Sequence, residues 1–516
     1  MEIDYKTDQN LAIITWNMTS SPMNVLNDTS LPEFEAALEK AFANTEVKGI
    51  IVTSAKPEFI AGADLKMILR NQDKDPREML EVSMGLNRLF RRMETQGKPL
   101  VAAINGTVLG GGYEVCLACH HRIALDNPKT KIGLPEVKLG LLPGGGGTQR
   151  LPRMIGMEAA LPLMLEGKEV PPQEALKLGM VDAVAATPEA LMQAARAWIE
   201  ANPAPVQPWD QVSKKTGKIE ARENYKVPGG GVQSPTGMQM FTIGTAMTVE
   251  KTKSNYPAPI AILSCVYEGL QVNMDRAIEI EARHFVKVAR SKEAGNLIRT
   301  MFLGLNSANK GASRPKGIDK TDVKKVGILG AGLMGAGIAY VSALAGMEVV
   351  LKDVSAEAAE KGKGYSRKLL DKAISRGKMD TTKAESTLSQ IKPTGEAADL
   401  QGCDLIVEAV FESRDVKAQV IRESEPMLVE NGVFGSNTST LPITGLADFA
   451  QKPGNFIGIH FFSPVDKMAL VEIIVGKQTS DYALAVAIDY VRKIRKTPIV
   501  VNDSRGFYTS RCFATY

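Results

Sequence analysis

The sequence is short of the residues that build metal centres and disulfide frameworks, with four histidines and five cysteines in 516 residues. The cysteines are Cys116, Cys119, Cys265, Cys403 and Cys512, and the one patterned pair is the CxxC at 116–119. A structural zinc site needs two further ligands at comparable spacing, and none is obvious even with His120 and His121 adjacent. No metal is expected, and the pair reads as packing within one helix. An odd, unpatterned count suits a reducing compartment. Charge of one sign is missing too: 62 Lys+Arg against 58 Asp+Glu leave a net +4, with no long basic block, which argues against a nucleic-acid partner. No run of about 18 apolar residues occurs, so no spanning helix is expected. The N-terminal MEIDYKTDQN is acidic and polar, unlike a secretory signal. A cytoplasmic protein is the expectation.

What is present is an ordinary globular balance, 44% hydrophobic and 23% charged, in a chain long enough for two to four domains. Short apolar runs at 11–15 and 49–52 read as strands, and 31–42 and 76–92 have helical periodicity. Residues 1–190 therefore read as an α/β domain. Residues 191–320 form a helical extension and linker: 202–236 is rich in Pro and Gly, 257–301 is helical by its three- and four-residue spacing, and 306–321 is polar. A third segment, 321–505, opens with a strand at 324–329 and continues in strand–helix alternation to about 501.

Two glycine-rich stretches dominate the first segment, FIAGADLK at 59–66 and NGTVLGGGYE at 105–114. In the second, a triple glycine opens a helix read at 113–119. Glycines let a ligand approach the backbone, and a helix start leaves N–H groups unpaired with positive dipole character. Such donors stabilise a developing oxyanion by roughly 3–4 kcal/mol each. Glu114 follows the glycines directly, and Glu136 lies 22 residues on in GLPEVKLG, far enough for an intervening strand. Two carboxylates in one cleft can divide acid and base roles. Taken singly, the glycines fit a tight turn as well, and either glutamate fits a solvated surface.

AGADLK, NGTVLGGGYE and GLPEVKLGLLPGGGGTQRL, in that order, resemble the crotonase, or enoyl-CoA hydratase/isomerase, superfamily over residues 1–190. The resemblance implies a spiral of ββα turns that binds acyl-CoA thioesters. It places the oxyanion donors on the N–H groups of Ala63 and Gly111, substrate contacts at Ala61 and Lys66, and the catalytic carboxylates on Glu114 and Glu136. Glu114 would activate water for addition at C3, and Glu136 would handle the proton at C2. Retention of both glutamates favours a hydratase over the isomerases and hydrolases of the superfamily, with 3-to-2 isomerisation as a side activity. The segment between the glutamates, 115–133, is about two residues longer than in single-domain hydratases, and the extra residues are expected in a loop.

The second site begins with VGILGAGLMG at 326–335, a GxGxxG between an expected strand and a helix at 334–344. The next strand, 348–351, leads to Asp353, 23 residues after Gly330. An acid there can bond both ribose hydroxyls and repel a 2′-phosphate, which favours NAD. SNTS at 436–439, IGIHFFSP at 457–464 and LVEII at 470–474 follow. His460 suits proton removal from an alcohol, with Glu472 holding the ring, although a single histidine is as readily structural.

Together these segments resemble the 3-hydroxyacyl-CoA dehydrogenase family, whose NAD-binding part is a Rossmann fold. The resemblance makes His460 the base, Glu472 its partner and Ser439 the serine near the substrate hydroxyl. The cofactor residues it implies are Gly330, Gly332, Met334, Gly335, Asp353, Val410, Phe411, Glu412, Lys417 and Ser463. Ser510 falls at a substrate position. Ser463 and Ser510 stand where many relatives have Asn. The domain order resembles the α-subunits of bacterial fatty-acid oxidation multienzyme complexes, whose partner is a thiolase β-subunit. Tethering raises the concentration of the first product at the second site, by the reasoning used for linked binding modules. Residues 506–516 resemble the start of a further helical domain, so the chain is expected to be C-terminally truncated and its dehydrogenase impaired.

Overall fold

The computed structural model describes residues 1–212 and 226–515. Part of the expected Pro/Gly-rich excursion, 213–225, lies outside the described residues. The chain divides into two units, Met1–Phe302 and Leu303–Tyr516. The expected extension and linker is divided there: 191–302 goes with the first unit and 303–320 with the second.

The first unit is built on a six-stranded sheet, in the order Ile3–Asp8, Leu11–Trp16, Gly49–Ser54, Leu100–Ile104, His121–Leu125, Ala183–Ala185. The first pair is antiparallel and the rest are parallel. Alternation along these strands serves two cores. Ala12, Ile14, Ile50, Val52, Leu100, Ala102 and Ile104 face the main core with Phe34 and Leu38 of the helix Ser30–Ala43. Leu11, Ile51, Val101, Ala103 and Ile123 face the other way, onto Leu191, Ala195 and Ile199 of the helix Pro188–Ala201. With both faces covered, the parallel strands read as continuous apolar runs.

A second layer gives the spiral. Leu100–Ile104 is followed by the short strand Val108–Leu109 and the helix Gly111–Leu117; His121–Leu125 is followed by Ile132–Gly133 and the turn Glu136–Leu139. Val108–Leu109 pairs with Ile132–Gly133, and Ile60 bridges to Val108, so three successive ββα turns stack side by side. The loop 126–131 lies between the second and third of these glycine-bearing segments, within the stretch where extra residues were expected.

The helix expected at 113–119 spans Gly111–Leu117 instead. Gly110 caps it at φ 55°, ψ −133°, a conformation that suits glycine. Gly111 and Gly112 form its first turn, where a Cβ would strike Leu26 or Ile60. The helical stretch 257–301 is broken into Pro257–Gly269, Met274–Ala289 and Lys292–Leu297. Asn273 and Ser291 cap the second and third, each accepting a backbone N–H, so the breaks are local capping events. A helix at Pro235–Thr252 precedes them, which the sequence reading did not foresee.

The second unit has an eight-stranded sheet, in the order Ile391–Thr394, Glu348–Lys352, Lys325–Leu329, Cys403–Glu408, Leu428–Ser436, Phe456–Phe461, Leu470–Val475, Thr497–Asn502. All pairs are parallel except Phe456–Phe461 with Leu470–Val475. The order reverses beside Lys325–Leu329, the strand that ends in the glycine turn, which is the crevice where doubly wound sheets bind ligands. Residues 303–320 are tied to this unit by Arg314, whose guanidinium meets Asp489 at 2.9 Å through two nitrogens. Among the described residues, no helix is long and apolar enough to cross a membrane.

Candidate active sites

In the first unit, Ala61, Ala63, Lys66, Gly111, Glu114 and Glu136 all line one cavity of about 1070 Å³. Its wall is set by backbone pairing. Leu26 N–H donates to Gly62 O and Asp64 N–H to Leu26 O, both at 2.9 Å, while Gly110 N–H donates to Gly133 O at 2.9 Å. That pattern leaves the N–H groups of Ala63 and Gly111 with no acceptor among the described residues. They are neighbours: a Cβ at Gly111 would lie 3.8 Å from Ala63 N. Two unpaired donors side by side on a cavity wall, one of them at a helix start, form a binding point for an anionic oxygen.

Glu114 is buried beneath this point. Its Oε1 accepts from Gly145 N–H and Gly147 N–H, each at 2.7 Å. Burial drives its pKa up; these two amides and the Arg150 guanidinium draw it back, leaving it at about 7. Glu136 opens the turn Glu136–Leu139, and its Oε2 is buried with no hydrogen-bond partner among the described residues. Burial, then the charge of Glu114, then that of Glu281, push the Glu136 carboxyl well above its ordinary value. Oε1 of Glu136 would stand 3.0 Å from a Cβ at Gly110, so a side chain there would displace it. The pair thus sets a carboxyl poised at about 7 beside one whose protonated form its surroundings favour, which is the division acid–base chemistry needs.

In the second unit the groups gather at the carboxyl ends of the strands. Gly330 has φ 89°, and a Cβ would lie 2.7 Å from Ala409 O; a Cβ at Gly335 would lie 1.8 Å from Gly330 O. At Gly332 a Cβ would meet nothing within 4 Å. Two of the glycines therefore bring strand, turn and helix together, and the middle one leaves the helix start open, as a pyrophosphate requires. Asp353 accepts from Ala331 N–H at 2.6 Å, which fixes the acid beside the turn. These residues fit the pyrophosphate and ribose of a dinucleotide.

His460 and Glu472 are opposed in the antiparallel register, and His460 Nδ1 lies 2.8 Å from Glu472 Oε2. Glu472 Oε1 accepts from Thr509 N–H at 2.8 Å and Tyr508 N–H at 3.2 Å. Burial tends to raise Glu472, but the bonds from His460 and Thr509 outweigh it and hold the carboxyl below its ordinary value. An ionised Glu472 accepts a hydrogen bond from Nδ1–H, which leaves Nε2 as the acceptor. Phe462 and Phe507 flank the imidazole at ring-centroid distances of 4.7 and 6.0 Å.

The comparisons with known proteins cover both units. Residues 6–218 match the enoyl-CoA hydratase/isomerase family, and residues 325–504 match the 3-hydroxyacyl-CoA dehydrogenase NAD-binding domain. The fatty acid oxidation complex subunit alpha of Shewanella amazonensis is 39% identical over 519 residues, covering 99% of this chain and 70% of that protein. The subunit alpha of Pseudomonas syringae pv. syringae is 39% identical over 505 residues, covering 98% and 68%.

The chain belongs to the fatty acid oxidation complex subunit alpha family. It is a β-oxidation enzyme carrying a hydratase/isomerase domain and an NAD-dependent 3-hydroxyacyl-CoA dehydrogenase domain. Among solved structures, (S)-3-hydroxybutyryl-CoA dehydrogenase PaaH1 from Ralstonia eutropha is similar at TM-score 0.37 and 38% identity, over 37% of this chain and 68% of that one.

For this family member, the remaining sequence-derived residues are placed unevenly. Glu412 accepts from Thr438 Oγ1 at 2.6 Å and from Ser439 N–H at 2.9 Å, and lies 3.2 Å from Lys417 Nζ. Burial would raise Glu412; the Thr438 hydroxyl, Lys417 and Ser439 N–H bring it below its ordinary value. Val410 N–H donates to Glu408 Oε2 at 3.2 Å, Met334 is half-buried against the core, and Phe411 is exposed. The side chains of Ser439, Ser463 and Ser510 make no hydrogen bond to the other residues of this set; Ser463 is exposed after the strand Phe456–Phe461, and Ser510 lies in the helix Thr509–Phe513. Cys116, within the helix Gly111–Leu117, and Cys119, two residues past its end and so not in the one helix expected, are both buried, their thiols directed at Gly112 O and Val115 O.

Sequence reasoning missed three residues. Glu408 is buried and bonds Lys417 at 2.8 Å as well as Ser436; a carboxylate ending the apolar strand Cys403–Glu408 was the available signal. Asn437 Oδ1 accepts from Phe461 N–H at 2.8 Å and joins the two strands beside His460. Glu281 bonds the loop behind Glu114. It is in step with Met274, Ala277, Ile278 and Ala282 on the buried face of its helix, and a glutamate on an apolar stripe is a readable anomaly.

Proposed function

We propose that the first site adds water across the double bond of 2-trans-enoyl-CoA, and that the second oxidises the resulting 3-hydroxyacyl-CoA to the 3-ketoacyl form. The observation that carries the first step is the convergence of Glu114, Glu136 and the unpaired N–H groups of Ala63 and Gly111 on one cavity. The thioester oxygen sits on the two N–H groups, which stabilise the enolate more than the ground-state carbonyl. Ionised Glu114 removes a proton from water as its oxygen bonds C3. Glu136, whose protonated form is favoured by burial and by the charge of Glu114, delivers its proton to C2. Ala61 and Lys66 line the approach. The same enolate, with a carboxyl moving a proton between C2 and C4, supports 3-to-2 isomerisation.

In the second step His460 Nε2 takes the hydroxyl proton, and Glu472 stabilises the imidazolium that forms. NAD, when bound, would supply the hydride acceptor for C3. Gly330, Gly332, Met334 and Gly335 would hold its pyrophosphate and Asp353 its adenosine ribose; Val410, Phe411, Glu412, Lys417 and Ser463 would lie on the nicotinamide side. Ser439 and Ser510 would meet the substrate. The relatives are named as subunits of a complex, and the partner we propose for this chain is a thiolase, in the cytoplasm.

The test follows crotonyl-CoA at its enoyl absorbance. The band should fade without NAD, and NADH should form only when NAD is added. Free thiol release in place of hydration would replace this reading with a thioester hydrolase.

A further inference from the structure

The loop 144–148 is a run of four glycines and a threonine, a sequence with little conformational preference of its own. Its amides point alternately to two carboxylates. Gly145 and Gly147 donate to Glu114, while Gly146 donates to Glu281 at 2.6 Å and Thr148 N–H at 2.9 Å, with the Thr148 hydroxyl also on Glu281. The carbonyl side is held by Arg150, which donates to Gly145 O at 2.8 Å. There is no room for side chains: a Cβ would come within 2.6 Å of Phe285 at Gly144, 3.0 Å of Glu114 Oε2 at Gly145, 1.8 Å of Arg150 at Gly146 and 2.8 Å of Glu114 Oε1 at Gly147. Glu281 and Phe285 are one helical turn apart on Met274–Ala289, so one helix, distant in sequence from the hydratase motifs, forms the back of the loop.

Glu281 is fully buried and, among the described residues, has no cation bonded to it; the nearby Arg150 is committed to Glu94 at 2.8 Å. A carboxylate in such a place is expensive to ionise, and an apolar residue would pack the helix as well. Its retention is explained by what it bonds. We propose that Glu281 is a positioning residue of the hydratase site: it clamps the 144–148 loop so that the Gly145 and Gly147 amides meet Glu114.

This rests on the hydratase reading above. The groups that face Glu281 are Glu114, Arg150 and, on the packed helix Pro257–Gly269, the Cys265 thiol. Glu136 feels its charge. Arg91 and Asp210 belong to the network behind Arg150 and Glu94, and His284 pairs with Glu268. Burial and the charge of Glu114 raise Glu281 to about 8, so it ionises just above Glu114 and its charge then bears on the rest of the cluster.

The experiment is the pH profile of enoyl-CoA hydration by the full chain carrying Glu281→Gln or Glu281→Asp, beside the unaltered protein and Glu114→Gln. Folding is checked by circular dichroism. Loosening the Gly145 and Gly147 amides raises Glu114, and losing the charge that Glu281 carries above about 8 lowers Glu136, so the acid limb should move to higher pH and the alkaline limb to lower pH, the latter further in Gln than in Asp. Turnover should fall by about tenfold or more, with KM within about twofold, because the residue acts through the loop and not on substrate. A residue that only supports the fold would lower activity evenly and leave the limbs in place. Limbs at the unaltered pH, in whichever variant folds, overturn the proposal while an inactive Glu114→Gln protein leaves the hydratase reading standing. A fully active Glu114→Gln protein overturns both.

Discussion

The two sites use glutamate in opposite ways. In the first unit, burial pushes Glu114, Glu136 and Glu281 up, Glu114 to about 7 and Glu281 to about 8, and the charge of Glu114 adds to it at Glu136 and Glu281. In the second, Glu412 and Glu472 are surrounded by donors, Thr438 and Ser439 for one and His460 and Thr509 for the other, and both lie below their ordinary value. Carboxyls of the first kind can exchange protons near neutral pH. Those of the second stay ionised and act as fixed anchors, one orienting a histidine and the other a loop. The environment, not the residue type, decides between reagent and anchor.

The comparison is broken most severely by removing the reagent carboxyls. Glu114→Gln and Glu136→Gln should each lower hydration by about 10²–10⁴, the range of a lost acid or base. NAD binding, followed by nicotinamide fluorescence, should stay unchanged. Next comes the anchor: Glu472→Gln should lower dehydrogenation by about 10²-fold or more through a misheld imidazole, by analogy with other carboxylate-held histidines. Its hydration rate should equal that of the unaltered protein. Equal loss of both activities in either variant would contradict the separation of roles.

The pH response sharpens the contrast. The Glu114 carboxyl is raised from 4.5 to about 7 and must be ionised to act as base, so hydration should rise with pH through about 7. Glu472, being lowered, is ionised throughout that window and should contribute no limb there.

A subtler pair separates architecture from binding in the glycine turn. Gly335→Ala meets Gly330 O and should cost about 1–3 kcal/mol of stability, seen as a lower Tm. Gly332→Ala meets only open space, so it should leave Tm unchanged and weaken NAD binding.

Much of this was legible in the sequence because it is local. Short apolar runs point to strands at 11–15 and 49–52, which the structure extends to Leu11–Trp16 and Gly49–Ser54. The glycine turn and Asp353 follow from one βαβ unit, and His460 with Glu472 from two neighbouring strands. What was hidden depends on packing between distant segments. Glu281 reaches Gly146 across 135 residues, and no spacing rule connects them. The breaks in 257–301 turn on Asn273 and Ser291 as caps, which a periodicity reading passes over. The helix Pro235–Thr252 lacks a clear apolar stripe, with Met238, Ile243 and Met247 exposed among small and polar residues.

The most direct measurement is the pH dependence of kcat/KM for crotonyl-CoA hydration in the unaltered chain and in Glu136→Gln. A bell with its acid limb near about 7, and loss of the alkaline limb together with most of the activity in Glu136→Gln, is the predicted result. A profile that is flat between about pH 5 and 9, or a Glu136→Gln protein with full activity, would show that the two carboxyls do not divide the proton chemistry of one double bond.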